Sequence, residues 1–258
     1  YPDTIYQAIH HILSQHPELI DPVFRLTAGA QGPWKNGESG ITHSRVLPLA
    51  TVSPWLDDLE FKRVHEQIKS NTLVDIYRCD ELWQLAKQTQ HVPGDILEVG
   101  VWRGGTGAVL AEAVRHLKDK TVYLADTFTG VVKAGENDTR YTGGEHSDTS
   151  EEVVRGLLAS MSLNNVRILR GIFPEATQHQ IPGKIAMLHC DVDVYQSSKD
   201  IIEWSLPRLS IGSILVFDDY GFSGCEGITL FCNEFRARKD FRFIHNLNGH
   251  AIFIKTEI

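Results

Sequence analysis

Apolar residues recur along this chain in two rhythms. Through the first third they fall at helical spacing: Ile5, Ile9, Leu13, Leu19, Val23 and Leu26 predict an amphipathic helix over 3–28. The glycine- and polar-rich stretch 29–40 reads as a mobile loop, and 47–55 as an apolar, turn-rich segment. Helices are expected at 60–70 and, after Asn71-Thr-Leu-Val-Asp75, through Leu82 and Leu85. From Gly94 onward, short apolar runs alternate with helical periodicity. Strands are predicted at 96–99, 121–125, 166–170, 184–190 and 213–217, with helices near 106–117, from Ser150, at 197–207 and at 226–237. Two last strands, 241–245 and 251–254, are joined by Asn246-Leu-Asn-Gly249, a hairpin signal. Such alternation predicts a doubly wound α/β fold with a mostly parallel seven-stranded sheet. Residues 1–90 are expected to form a helical cap or lid, and 91–258 the α/β core.

The densest chemistry lies at the first strand. In Asp95-Ile-Leu-Glu-Val-Gly-Val-Trp-Arg-Gly-Gly-Thr-Gly107 a buried strand runs into a glycine-rich turn and then a helix. A turn at the carboxyl end of a first parallel strand is where doubly wound proteins bind nucleotide-like cofactors. It is not the dinucleotide fingerprint, because Trp102 stands where the second glycine is needed. Glu98, two residues before Gly100, suits the ammonium of adenosylmethionine. Asp126 ends the next apolar strand, 26 positions after Gly100, where an acid can accept both ribose hydroxyls of an adenosine. The alternative is an acid that caps its own turn.

Two later strands end in acid pairs, His189-Cys-Asp-Val-Asp193 and Phe217-Asp-Asp219, whose outer members lie 28 positions apart. One strand–helix–strand unit fills that distance, so four carboxylates are expected on one rim. Like charges at close range need a cation or a shared proton. All-carboxylate ligation suits Mg²⁺, Ca²⁺ or Mn²⁺ rather than zinc. Some of these acids could instead cap loops or helices.

Taken in order, the motif around Gly100, Ala125-Asp-Thr-Phe128, Gly171-Ile-Phe-Pro174, Asp191-Val-Asp-Val-Tyr195 and Phe217-Asp-Asp-Tyr220 resemble the signatures of the macrocin O-methyltransferase family, over roughly 71–255. The resemblance implies a class I, Rossmann-like methyltransferase that uses S-adenosylmethionine and Mg²⁺ to methylate hydroxyls on natural-product sugars and aglycones. It implies cofactor contacts from Thr72, Leu73, Glu98, Gly100, Arg103, Gly104, Asp126, Thr127, Phe128, Gly171 and Asp191. It assigns Asp191, Asp218 and Asp219 to the metal, with Asp193 an extra ligand or base and Asp191 able to combine ligand and base roles. The chain departs from the family in having Val192 where Gly is usual, and in a longer, more polar segment after Phe128. Tyr195 and Tyr220 are candidate pocket walls, and His146, in the long loop 130–147, is a candidate for acceptor contact. Acceptor selectivity is expected from 29–55 and 130–147.

The remaining numbers mostly exclude. A net charge of −8 argues against nucleic acid as a partner. Cys79, Cys190, Cys225 and Cys232 have no paired zinc spacing, which favours reduced thiols and a cytoplasmic protein. No apolar run reaches membrane-spanning length, and no signal peptide precedes Tyr1. With no initial Met, the natural chain is expected to start a few residues earlier. The apolar helix face and the resemblance suggest a homodimer or larger homo-oligomer. Two rival readings use the same residues: a Mg²⁺-dependent phosphoester hydrolase, which lacks an obvious phosphate-gripping Lys or Arg beside the acids, and a non-catalytic adenosylmethionine-binding module.

Overall fold

A computed structural model describes residues 2–19, 34–35, 40–43 and 52–257. The first helix, α1 (Pro2–Gln15), stops well short of the expected 28. Pro17 cannot continue it, and a 3₁₀ turn, Pro17–Leu19, follows. The rest of that predicted helix and most of 29–51 lie outside the described residues. What is described there is a two-residue antiparallel pairing of Trp34–Lys35 with Thr42–His43.

Helix α2 (Leu59–Ile68) is capped by Asp58, whose carboxylate accepts from Phe61 N at 2.9 Å. Its buried residues, Phe61, Val64 and Ile68, fall on one stripe. Helix α3 (Ile76–Gln88) is capped in the same way by Asp75. Both helices pack against α4 (Gly105–Ala113), and Phe61, Ile68, Leu82 and Trp83 share one apolar cluster with Val109, Leu110 and Ile96. Residues 59–88 are thus built into the core of the domain. Every residue of α4 is buried, as expected for a helix enclosed on all sides.

The sheet has seven strands: β1 (Asp95–Val99), β2 (Val122–Asp126), β3 (Val166–Arg170), β4 (Ile185–Cys190), β5 (Leu209–Phe217), β6 (Phe241–Ile244) and β7 (Ala251–Lys255). Their order is β3-β2-β1-β4-β5-β7-β6, with the first five parallel and β7 antiparallel to both neighbours. Helices α5 (Glu151–Ser160), α6 (Tyr195–Ser205) and α7 (Glu226–Phe235) complete the two faces. Alternate residues feed opposite cores: Ile96 and Met187 join the α4 side, Leu97 and Leu188 the α6–α7 side. Chain order reverses between β1 and β4, and a crevice opens there at the strand ends. Between β2 and α5, residues 127–149 form neither helix nor strand. The four cysteines are buried, and none is in a disulfide. No described helix is long and apolar enough to cross a membrane.

Candidate active site

A cavity of about 310 Å³ fills this crevice, at the small end of the range for ligand pockets. One wall is the turn after β1. Gly100 (φ 88°) and Gly104 (φ 89°) adopt left-handed backbone that glycine tolerates. At Gly100 a Cβ would also overlap the carbonyl oxygen of Asp191. The Asp126 carboxylate pins the turn: Val101 N and Trp102 N donate to Oδ2 at 2.6 and 2.9 Å, and Phe128 N donates to Oδ1 at 2.6 Å. The segment before α3 closes over the turn through Gly105 N→Asn71 O at 2.9 Å and Asn71 Nδ2→Arg103 O at 3.2 Å.

The opposite wall is acidic. Asp191 follows β4, anchored by its N–H to Val99 O at 2.8 Å, and Asp218 follows β5, its N–H on Cys190 O at 3.0 Å. Asp193 (φ 64°) and Asp219 (φ 59°) occupy left-handed backbone, as do Trp102 and His146 on the same cavity. Strained non-glycine residues gathered around one cavity point to a functional site. Burial raises Asp191 and Asp219 well above the carboxylate range, and repulsion from the other acids adds to it. Asp193 is raised by burial too, although hydrogen bonds from Asp219 and Tyr141 oppose the shift. The Asp193 and Asp219 carboxyls are hydrogen-bonded to each other, which lowers Asp193 and raises Asp219. Asp218 runs the other way: burial would raise it, but Arg78 and His250 hold it below the usual range. His250 Nε2 lies 3.3 Å from Asp218 Oδ1 and its Nδ1 2.6 Å from Glu81 Oε2; against burial, these acids push the imidazole up to about 9.

Thr72, Leu73, Gly100, Asp126, Thr127, Gly171, Asp191, Asp193, Asp218 and Asp219 all line this cavity, as does His146. Glu98, Arg103, Gly104 and Phe128 do not. Glu98 is fully buried beneath the turn, side by side with His189 in the sheet register, and its Oε1 meets His189 Nδ1 at 2.8 Å. Its Oε2 lies towards Gly107 of α4 and is buried without a hydrogen-bond partner among the described residues. Arg103 points to the surface, pairing with Asp148 at 2.9 Å and covering the Trp102 ring. Tyr195 and Tyr220 are not pocket walls either: their hydroxyls reach Glu234 at 2.6 Å and Asn233 at 2.9 Å. Asp126 is a turn cap that also faces the cavity. Sequence patterning missed Arg78, Tyr141 and Trp102. Arg78 matters most, because it sets a guanidinium against Asp218 and Asp219, where no basic residue was expected.

With all four carboxylates ionised, the rim would carry more negative charge than Arg78 and His250 balance; its donors are hard oxygens, so the residues fit a hard divalent cation. Among the described residues two trios bring donor atoms within 4.8 Å of one another, His189/Asp218/His250 and Asp193/Asp219/Cys225. The expected trio Asp191, Asp218 and Asp219 shares the cavity but is not drawn together that closely.

Strand order, closing hairpin and cavity define a class I adenosylmethionine-dependent methyltransferase. More particularly, residues 67–255 match the model of the macrocin-O-methyltransferase (TylF) family, and the chain belongs to that family. It is 31% identical over 198 residues to the 8-demethyl-8-(2,3-dimethoxy-alpha-L-rhamnosyl)-tetracenomycin-C 4'-O-methyltransferase of Streptomyces olivaceus, covering 71% of this chain and 75% of that one. It is 30% identical over 186 residues to the demethyldecarbamoylnovobiocin O-methyltransferase of Streptomyces niveus, covering 66% and 70%. Among solved structures, the O-methyltransferase NovP superposes with a TM-score of 0.63 at 29% identity, over 72% of this chain and 83% of NovP. The protein is an adenosylmethionine-dependent O-methyltransferase, which disposes of the hydrolase and the non-catalytic module.

Proposed function

We propose that this enzyme methylates a hydroxyl on a natural-product small molecule, a sugar or aglycone, with the help of Mg²⁺ or another hard divalent cation. The observation that carries the reading is the meeting of two walls in one cavity: the glycine turn held by Asp126, and the rim of Asp191, Asp193, Asp218 and Asp219. The relatives named above act on a rhamnosyl-tetracenomycin and a decarbamoylnovobiocin precursor. When bound, adenosylmethionine supplies the electrophilic methyl group, and the divalent cation supplies charge that makes a neutral hydroxyl more acidic.

Thr72, Leu73, Gly100, Asp126, Thr127 and Gly171 would hold the cofactor, and Asp191, Asp218 and Asp219 the cation. Asp193 is the general base. Its carboxyl is held by the Tyr141 hydroxyl and lines the cavity, which supports a role in taking the hydroxyl proton when it is ionised. Tyr141 and His146, ring centroids 6.0 Å apart, form an aromatic floor in loop 130–147 for the acceptor. That loop acts as a lid that excludes water.

The test is a panel of deoxysugar glycosides and their aglycones, incubated with adenosylmethionine and Mg²⁺ and read by mass spectrometry. A gain of one methyl group on an acceptor hydroxyl, lost in EDTA, is expected. Methylation that persists fully in EDTA refutes the metal assignment, and methylation confined to nitrogen or carbon acceptors refutes the reaction.

A further inference from the structure

Arg78 is oddly placed for a surface-helix arginine. It leaves the first turn of α3, is only 5% exposed, and lines the catalytic cavity. Its Nε donates to Asp75 Oδ2 at 2.9 Å, and one terminal nitrogen bridges Asp218 Oδ1 and, at 3.2 Å, Asp219 Oδ1. The guanidinium lies 4.7 Å from the Phe222 ring. Behind them stands Gly249, in the β6–β7 hairpin, where a Cβ would come within 2.5 Å of Phe222 and 3.1 Å of Arg78 Cδ. The packing holds the guanidinium on the two acids.

We propose that Arg78 is a resident counter-cation, which neutralises Asp218 and Asp219 in the metal-free enzyme and must leave them for the divalent ion to bind. The inference rests on the metal reading above. The guanidinium and a divalent ion would contend for the same carboxylate oxygens, and two cations at one oxygen repel strongly away from bulk water. Asp75 supplies the pivot. It accepts from Nε and is itself part-exposed, so it gives the guanidinium a carboxylate partner to keep when the whole group turns off the two buried acids. The device also ties metal uptake to the cofactor wall, since Asp75 directly follows Thr72, Leu73 and Val74, which line the cavity.

Mn²⁺, used as probe and followed by electron paramagnetic resonance at mildly alkaline pH without acceptor, tests this. Removing a competing charge-assisted contact is worth a factor of about ten to a hundred, so Arg78→Gln should bind Mn²⁺ tighter by that factor. Its metal-free form should melt lower than the native protein and recover more on adding Mn²⁺. Arg78→Lys keeps the charge but cannot bridge all three acids, and should fall between. A crystal structure of the native enzyme with Mn²⁺ should show the guanidinium beyond hydrogen-bond reach of both Asp218 and Asp219. Equal or weaker Mn²⁺ binding by folded Arg78→Gln, or a bound ion with both contacts intact, overturns the proposal alone. Absence of Mn²⁺ binding by all three proteins removes the metal reading and the proposal with it.

Discussion

Asp126→Ala separates two roles that one carboxylate combines. A carboxylate offers about four acceptor positions, and three are taken by Val101 N, Trp102 N and Phe128 N. One position is left for a ribose hydroxyl, not the two hydroxyls that a free acid could accept. Losing that single charge-assisted bond should cost about 1.5–3 kcal/mol, roughly a ten- to hundredfold rise in Kd for adenosylhomocysteine. The substitution also releases the turn, and that part of the cost is blind to the ribose. Calorimetry with adenosylhomocysteine and its 2',3'-dideoxy analogue, on native and Asp126→Ala protein, closes a double cycle. The expected result is a coupling of about 1.5 kcal/mol or more: the mutation should hurt the intact nucleoside much more than the dideoxy form. Thermal melting checks that the variant is folded. If both ligands weaken equally, Asp126 serves the turn alone and the ribose assignment fails.

Three further outcomes are expected. A divalent ion at a hundredfold excess over its Kd should stabilise the native state by about 2.7 kcal/mol, raising Tm by roughly 5–10 °C over an EDTA control; Asp219→Asn should lose that rise yet bind adenosylhomocysteine normally, and an undiminished rise would remove Asp219 from the metal. Asp193→Asn should lower kcat by about 10²–10⁴-fold, whereas Tyr141→Phe, which removes one hydrogen bond to that base, should lower it only about two- to tenfold; steady-state assays in which Asp193→Asn keeps its rate would end the general-base assignment. Gly100→Ala forces a side chain into left-handed backbone and against the Asp191 carbonyl, so Tm should fall by on the order of 10 °C for a loss of about 2–5 kcal/mol, and an unchanged melting curve would show that this contact is not tight.

Patterning made the sheet legible because period and length differ sharply between its strands and helices. The strand ends could then be read for chemistry, since β1, β2, β4 and β5 each finish in acid or glycine. What patterning cannot supply is direction. Glu98 looks like a rim acid in one dimension, yet it is buried beneath the turn, where its Oε1 meets His189, 91 residues later. Arg78 is separated from Asp218 by 140 residues, and on α3 it is one charge among several. Only the packing of α3 on α4 brings it inward. Tyr141 is invisible for a different reason: residues 127–149 carry no periodicity, so nothing in that run says which ring folds back to Asp193. Apolar spacing continues past Pro17, but the missing backbone donor there ends α1 at Gln15.

The two halves of the site are mechanically joined at one backbone contact. Asp191 N donates to Val99 O, and the Asp191 carbonyl lies where a Gly100 side chain would be. The Asp126-held turn and the first acid of the rim are therefore adjacent layers of one structure, with no side chain between them. Val192, where the family usually has Gly, lies just beyond this contact. Its Cγ1 would stand 3.4 Å from a Gly100 Cβ, and its side chain lines the cavity. A branched residue at that place takes up space beside the cofactor turn without disturbing the carbonyl contact, because its own backbone need not approach Gly100. The departure from the family pattern thus places a branched side chain on the cavity beside Gly100, while the contact between the Asp126-held turn and the acid rim stays intact.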